Sequence, residues 1–298
     1  MNKFEAENSE EIINDNNKNS ENGKPSADFI RHSVSSYKTY ADIVSSDKPL
    51  EQLNPNNQSF PDLPEKGIEF AKQEAEKFFA GLEPKKDVIF FASSNEARAI
   101  ETANIYRQIA HQKGFEILKP EHSRNEHAEE IGEGEIRVVK NLSIYPDKNT
   151  NILIDSVFNS PKKRSLVNWQ AVPTELKERY DRASKIIEAD DKGSFGQNLA
   201  AHSEEIKKIL PEISTAEELY KGQFQNILRL IKFGLKKAES SKQEKQVKII
   251  AFGHENYLMH MLEKSFQEDG IKNCEAINLN VEDGIVKAKF RNKEAKLE

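Results

Sequence analysis

Short apolar runs and longer amphipathic segments alternate along most of this sequence. A run of directly consecutive apolar residues is typical of a strand that is buried on both faces. The runs that predict such strands are residues 27–30, 87–92 and 247–252. Near the end of the chain, two segments of alternating character, residues 276–281 and 285–290, flank Glu282, Asp283 and Gly284. This pattern predicts a β-hairpin.

Apolar residues three or four positions apart predict helices between these strands. Three helices are expected to begin at capping boxes, in which a polar side chain and a Glu three residues later bond each other's backbone N–H groups. The boxes are Asp62 with Glu65, Ser93 with Glu96, and Ser214 with Glu217. The helices that they begin are expected to end near residues 79, 112 and 237. Two further helices are predicted, one over residues 173–189 and one after Glu255.

The order of these elements predicts a three-layer α/β/α fold, with a mostly parallel sheet that has an antiparallel edge. We expect residues 27–298 to form this domain. The middle of the chain, at about 114–213, is less regular and is predicted to be a cap-like insertion with strands at 135–142 and 151–158. Residues 1–26 are mostly Asn, Glu, Ser and Lys, and they are predicted to be a disordered tail because they cannot bury enough apolar surface to fold.

Residues 34–60 predict a long loop rich in Ser, Tyr, Asn and Pro. Loops of more than about 12–15 residues are often functional. Ser35, Tyr37 and Lys38 are close enough in sequence to contact a ligand bound at the end of the first strand. An ordinary loop surface fits the same residues equally well.

Composition and charge narrow the class of protein. The chain of 298 residues has a net charge of −6, which argues against a nucleic-acid partner bound through a basic face. No apolar run approaches the roughly 18 residues of a membrane span, so no membrane partner and a cytoplasmic location are expected. The sole cysteine, Cys274, excludes an intrachain disulfide and is predicted to be a small buried side chain. The oligomeric state stays open.

Four residues that can bind an anion stand where predicted strands give way to loops or helices. Arg31 and His32 follow the first strand, Arg98 lies in the first turn of a helix, and His254 follows the strand at 247–252. The carboxyl ends of parallel strands meet at one edge of a sheet, and a helix N-terminus favours negative charge. We therefore expect these side chains to converge on a phosphoryl group. An exposed salt bridge for Arg98 and ordinary buried or surface positions for the histidines are the competing interpretations.

The remaining histidines are assigned to ordinary core or surface positions. They are His111, His122, His127, His202 and His260. Their spacing matches no recognisable set of metal ligands, so neither a metal nor another cofactor is expected.

The segments around the four anion-binding residues resemble the histidine phosphatase superfamily, which has the phosphoglycerate mutase-like fold. Phe29-Ile30-Arg31-His32-Ser33 resembles the family's opening Arg-His-Gly motif, with Ser33 in place of Gly. Residues 63–67 resemble the start of its first helix. Residues 93–103 are similar to the stretch that holds its second phosphate-binding arginine, and residues 249–255 to the strand that delivers its second histidine. The match covers about residues 27–110 and 215–281.

The resemblance implies that His32 is the nucleophile that becomes phosphorylated, and that Arg31, Arg98 and His254 bind the phosphate. An imidazole that is neutral near physiological pH has a free lone pair for in-line attack on phosphorus. Paired guanidinium donors can follow the charge on the phosphate oxygens. Ser33 adds a side chain close to the phosphate, which would narrow the pocket or supply a hydroxyl donor.

The resemblance also implies a carboxylic acid that protonates the leaving oxygen. The acid-phosphatase branch of the family carries one directly after the second histidine, and Glu255 stands there. Asp155 and Glu133 are the alternatives. Glu255 would also favour a helix N-terminus without any catalytic role.

These assignments predict a metal-independent phosphatase that hydrolyses a small-molecule phosphate ester or a phosphopeptide through phosphohistidine. A catalytically weak or inactive module that binds a phosphorylated ligand is the alternative from another class. A phosphoglycerate mutase-type phosphotransferase is the alternative within the same class of enzyme. A scaffold that acts through the tail has only compositional support.

Overall fold

A computed structural model describes ten segments of the chain. They are residues 26–35, 63–94, 97–120, 133–138, 173–189, 195–211, 215–240, 245–255, 258–282 and 285–297. Several predictions fall outside them, namely those on residues 1–25, most of the loop at 34–60 with Tyr37 and Lys38, the strand at 151–158, Asp155, His122 and His127.

The described strands and helices follow the predicted alternation. The strands are β1 (Ser26–Arg31), β2 (Asp87–Ser93), β3 (Glu116–Ile117), β4 (Ile136–Val138), β5 (Gln246–Gly253), β6 (Ala276–Glu282), β7 (Ile285–Phe290) and β8 (Lys293–Leu297). The helices are α1 (Glu65–Ala80), α2 (Ala97–Gln112), α3 (Thr174–Ala189), α4 (Phe195–Ala201), α5 (Ser203–Ile209), α6 (Ala216–Ser240) and α7 (Met259–Met261), which continues as a π-helical turn at Leu262–Phe266. None of these helices combines the length and apolar character needed to cross a membrane.

The described strands form one sheet in the order β3-β2-β5-β1-β6-β7-β8, with β4 also paired to β2. Strand β5 is parallel to both β1 and β2, and β2 is parallel to β3 and β4. Strands β6, β7 and β8 continue the sheet from β1 in antiparallel pairs. The prediction of a mostly parallel sheet with an antiparallel edge is therefore confirmed.

Helices cover both faces of the central strands, which explains their continuous apolar sequences. On one face, Phe29, Phe90 and Ile249 belong to a cluster that includes residues of α6 and α7. On the other face, Ile89 and Phe252 pack with residues of α1 and α2. The three-layer arrangement follows from this alternation of side chains along each strand.

The helix starts differ from the predicted capping boxes. Helix α1 begins directly after Pro64, which is its N-cap and makes no side-chain capping hydrogen bond. Ser93 is the last residue of β2, so it cannot cap α2, which begins at Ala97. Helix α6 does begin with a capping box, but the box lies one residue later than predicted. Thr215 Oγ1 accepts from the Glu218 N–H, and Glu218 Oε2 accepts from the Thr215 N–H.

The middle of the chain contains helices that the sequence pattern did not predict. Helix α3 matches the prediction over 173–189, while α4 and α5 were missed. Strand β4 confirms residues 136–138 of the strand expected at 135–142, and residues 139–142 lie outside the described segments. An apolar cluster of its own joins α3 to α5 through Tyr180, Ala183, Ile187, Ile206 and Leu210. Whether this region acts as a cap over the site stays a prediction.

Candidate functional site

The backbone brings the ends of β1, β2 and β5 to one level. Arg31 pairs with Gly253, and Ser93 pairs with Phe252. The next residues continue this register, because the His32 N–H donates to the Gly253 carbonyl at 3.0 Å and the Ser94 N–H donates to the Phe252 carbonyl at 2.9 Å. The side chains that follow the three strands are therefore placed side by side.

Glycine is required where β5 ends. A methyl group on Cα of Gly253 would lie 2.4 Å from the ring of Phe29 on β1, closer than any real contact. The absence of a side chain lets the aromatic ring fill the space under the strand ends.

Two histidines and one arginine meet at this edge of the sheet. Arg98 Nε lies 3.2 Å from His32 Nε2, and Arg98 Nη2 lies 3.4 Å from His254 Nδ1. The centres of the two imidazole rings are 5.0 Å apart. His32, His254 and Arg98 are 2%, 3% and 9% exposed. The structure thus brings together three of the four side chains expected to converge, in a buried cluster.

The surroundings of His32 set its tautomer. Its Nδ1 lies 2.7 Å from the Ser33 carbonyl, which can only accept a hydrogen bond, so Nδ1 carries the proton. Its Nε2 then carries the in-plane lone pair, which accepts a hydrogen bond from Arg98. Burial, followed by the charges of Arg98 and Arg31, holds the pKa of His32 well below its usual value of 6.5. His32 is therefore neutral at physiological pH and has a nucleophilic nitrogen.

The second histidine lies between a serine and Arg98. Ser94 Oγ is 2.9 Å from His254 Nε2, on the opposite side of the ring from Arg98. Because a guanidinium can only donate, Nδ1 of His254 accepts and Nε2 donates to the Ser94 hydroxyl. The sequence pattern predicts no role for Ser94, although its position directly after β2 indicates that its side chain lies at the same edge of the sheet.

Arg31 and Glu255 form an ion pair beside this cluster. Arg31 Nη2 is 3.1 Å from Glu255 Oε2, and the side chains are 18% and 9% exposed. Arg31 also donates to the carbonyl of Ile271. Burial raises the pKa of Glu255 above its usual value of 4.5, and the charge of Arg31 opposes that rise without cancelling it. The carboxyl group is thus poised to hold a proton more readily than an exposed glutamate.

Ser33 takes part in bonds that hold the backbone. Its hydroxyl donates to the Gly67 carbonyl at 2.7 Å, and its N–H donates to Thr102 Oγ1 at 3.0 Å. The Thr102 hydroxyl in turn donates to the Arg98 carbonyl at 2.7 Å. A methyl group on Gly67 would lie 2.2 Å from the Val34 carbonyl oxygen, so α1 approaches the end of β1 closely. In this arrangement the Ser33 hydroxyl fastens β1 to α1.

Of the two described candidates for the acid, Glu255 is the one that contacts a predicted site residue. The carboxylate of Glu133 is 74% exposed and lies 3.1 Å from Nη2 of Arg107, on α2. Asp155 lies outside the described residues.

The other described histidines have ordinary partners. His111 lies 2.7 Å from Glu135, His202 lies 3.8 Å from Glu205, and His260 packs against the ring of Tyr220. Across the described segments, no group of three His, Cys, Asp or Glu residues is arranged to hold a metal ion. Cys274 is buried, as predicted.

Comparison with known proteins finds similarity at the level of solved structures. No protein-family model matches the sequence, and no curated protein matches it significantly. A phosphoglycerate mutase from Bacillus anthracis is 14% identical, with 91% of this chain and 94% of that chain covered and a TM-score of 0.43. A multiple inositol polyphosphate phosphatase from Bifidobacterium longum is 12% identical, with 96% and 90% covered and a TM-score of 0.43.

A phosphoserine phosphatase from Entamoeba histolytica is 12% identical, with 92% of this chain and 95% of that chain covered and a TM-score of 0.37. These structures are a mutase and two phosphatases. At these sequence identities, the function of this chain has to be inferred from its own side chains.

Proposed function

We propose that this protein is a phosphatase that hydrolyses a phosphate monoester through a phosphohistidine intermediate on His32. The observation that carries the proposal is the buried, neutral imidazole of His32, whose Nε2 lone pair faces the guanidinium of Arg98 at 3.2 Å. A nucleophile and a group that binds phosphate oxygens are thereby held in contact. His254 supplies a second ring beside the same guanidinium.

The first step transfers the phosphoryl group to the enzyme. The phosphate enters between Arg98 and the histidines, and the guanidinium donates to its oxygens instead of to the rings. His32 Nε2 attacks phosphorus in line, the P–N bond forms, and the bond from phosphorus to the ester oxygen breaks. Glu255 donates its proton to the leaving oxygen, so an alcohol departs.

The second step returns the enzyme to its starting state. Water attacks phosphorus, and the Glu255 carboxylate, now ionised beside Arg31, accepts a proton from it. The P–N bond breaks, and His32 recovers its neutral form with the proton still on Nδ1. The positive charge that these two reaction steps require comes from Arg98 and Arg31, so the proposed reaction uses no metal ion or cofactor.

Hydrolysis of 4-nitrophenyl phosphate in the presence of EDTA tests the proposal. We expect turnover by the wild type, and no turnover by His32→Ala because the nucleophile is missing. The phosphoenzyme should be stable in base, labile in acid, and absent from His32→Ala. His111→Ala is the matched control, since His111 is partly exposed and contacts Glu135 instead of the cluster. Equal turnover by His32→Ala and the wild type would contradict the proposal.

A module that binds a phosphorylated ligand without turnover is the second candidate. The ion pair between Arg31 and Glu255 favours it, because a carboxylate that serves as the counterion of a guanidinium is not available as a proton donor while the pair persists. Phosphate binding by the wild type, measured by calorimetry and lost in Arg98→Ala, together with no hydrolysis and no phosphoenzyme, would establish this function. Transfer of the phosphoryl group to a second hydroxyl group would instead identify a mutase.

A further inference from the structure

A short backbone segment links the middle of the chain to the Arg31–Glu255 ion pair. The segment consists of Asp269, Gly270 and Ile271 and follows the π-helical turn. The side-chain amide of Gln197, on α4, donates to the Asp269 carbonyl at 2.5 Å. Helix α4 belongs to the region that separates the two matched parts of the family motifs. This contact therefore joins that region to the loop beside the site.

Gly270 is the point where Gln197 and Glu255 meet. A methyl group on its Cα would lie 2.9 Å from Glu255 Oε1 and 3.1 Å from Gln197 Nε2. Both distances are shorter than ordinary van der Waals contacts with a side chain. Glycine here leaves the space that the carboxyl group and the amide occupy from two sides.

The peptide groups of Ile271 hold both members of the ion pair. The Ile271 N–H donates to the Glu255 carboxylate, and the Ile271 carbonyl accepts from Arg31 Nη1. The orientation of these backbone groups thus fixes the angle at which Arg31 and Glu255 face each other, at 3.1 Å. A displacement of the segment would move both side chains together.

From these contacts we infer that Gln197 and Gly270 are positioning residues for the carboxylic acid of Glu255. The inference rests on the proposed function, because it assigns Glu255 the role of proton donor. A general acid has to lie within hydrogen-bond reach of the leaving oxygen, and a displacement of about 1 Å can cost about 100-fold in rate. Gln197 holds the segment from outside the site, and Gly270 leaves room for the acid.

Two substrates with different leaving groups test this inference. Nitrophenolate departs with little help from an acid, whereas an alkoxide from a simple alkyl phosphate needs a proton. For Gln197→Ala and Gly270→Ala we expect kcat/KM on the alkyl phosphate to fall about tenfold or more, with a much smaller change on 4-nitrophenyl phosphate. Both variants should still form the phosphohistidine. In both variants, the pH at which the rate on the alkyl phosphate declines should also shift from its wild-type value.

Control variants separate positioning from general damage to the fold. Gly222→Ala adds a methyl group on α6 where no atom other than the nearby backbone of the helix itself lies within 4 Å, and Gln108→Ala removes an exposed amide on α2. We expect neither variant to change the ratio of the two rates. If Gly270→Ala does not fold, Gln197→Ala alone decides the question.

Each outcome has a distinct meaning. A selective loss on the alkyl phosphate supports the inference. Equal losses on both substrates, or no loss on either, overturn the inference and leave the proposed function standing. Failure of the wild type to hydrolyse either ester, with no phosphoenzyme, overturns the proposed function and the inference together.

Discussion

At the scale of single residues, opposing effects determine the protonation of Glu255, and the two largest are burial and the charge of Arg31. Burial raises the pKa of its carboxyl group, and Arg31 at 3.1 Å lowers it by a smaller amount. Protonation of Glu255 leaves the Arg31 guanidinium without a counter-charge until a phosphate arrives. In the proposed mechanism, the incoming anion releases Glu255 from its role as counterion and makes it available as an acid.

The pH dependence of the rate follows from this balance. An acid is competent below its pKa, so hydrolysis of an alkyl phosphate should decline as the pH rises through the raised pKa of Glu255. Glu255→Gln should lower kcat by about 10²–10⁴-fold and remove this decline, because an amide has no proton to give. Rates measured across pH for both proteins check this. Glu178→Gln on α3, where the side chain is exposed, is the control. An unchanged profile in Glu255→Gln would remove the assignment.

The convergence of three side chains was predictable from the sequence because each lies at a strand end or at a helix start. His32, Arg98 and His254 follow strand ends or lie in a first helical turn, so the register of neighbouring strands suffices to bring them together. Arg31 differs, because its side chain contacts Glu255 and Ile271 instead of the histidines. These partners lie more than 220 residues away in the chain, and nothing in the local pattern around Arg31 identifies them.

At the scale of elements, the start of α6 shows how closely a capping pattern can be located. Ser214 and Thr215 are both suitable caps, and Glu217 and Glu218 both lie three residues beyond one of them. Spacing alone cannot choose between these registers. The structure selects Thr215 with Glu218, and the Ala216 N–H additionally donates to Ser203 Oγ on α5 at 3.2 Å.

Replacing the observed cap should destabilise the protein without affecting catalysis. Thr215→Ala removes the hydroxyl that accepts from the Glu218 N–H, and loss of an N-cap typically costs about 1 kcal/mol in the free energy of unfolding. Urea unfolding measures the change. Ser214→Ala serves as the matched variant at the other candidate position and should cost less. A larger effect at Ser214 than at Thr215 would contradict the observed register.

The sequence pattern did not predict the edge strand β8, because most of its residues are charged. Lys293, Glu294 and Lys296 are exposed, while Leu297 is buried. Charges of this kind are common on edge strands, where they discourage pairing with another chain. The pattern lacks the apolar alternation by which β6 and β7 were predicted, so only pairing with β7 identifies the strand.

At the scale of the whole molecule, the buried site affects stability as well as chemistry. His32 remains neutral in the folded protein at pH values where the same side chain in the unfolded chain binds a proton. The unfolded state therefore binds more protons as the pH falls below 6.5, and the free energy of unfolding decreases. Glu255 acts in the opposite sense at lower pH, because its raised pKa lets the folded state bind a proton first.

This linkage predicts a change that can be measured without any substrate. As the pH is lowered from neutral through 6.5, the thermal midpoint of the wild type should fall more steeply than that of His32→Asn. The variant removes the group whose protonation favours the unfolded state. Calorimetric scans of both proteins over this range provide the test. Parallel curves would show that His32 titrates alike in the folded and unfolded chains.

The sequence by itself determined the strands of the central sheet, the helices that begin near the motifs, and the residues that stand at the strand ends. These features depend on local spacing and on apolar runs, and both are properties of residues that are neighbours in the sequence. The tertiary structure alone decided which side chains face one another across long separations. It paired Arg31 with Glu255, placed Ser94 against His254, and brought Gln197 to Gly270. Such contacts depend on how distant segments pack, and packing is settled only when the whole chain folds.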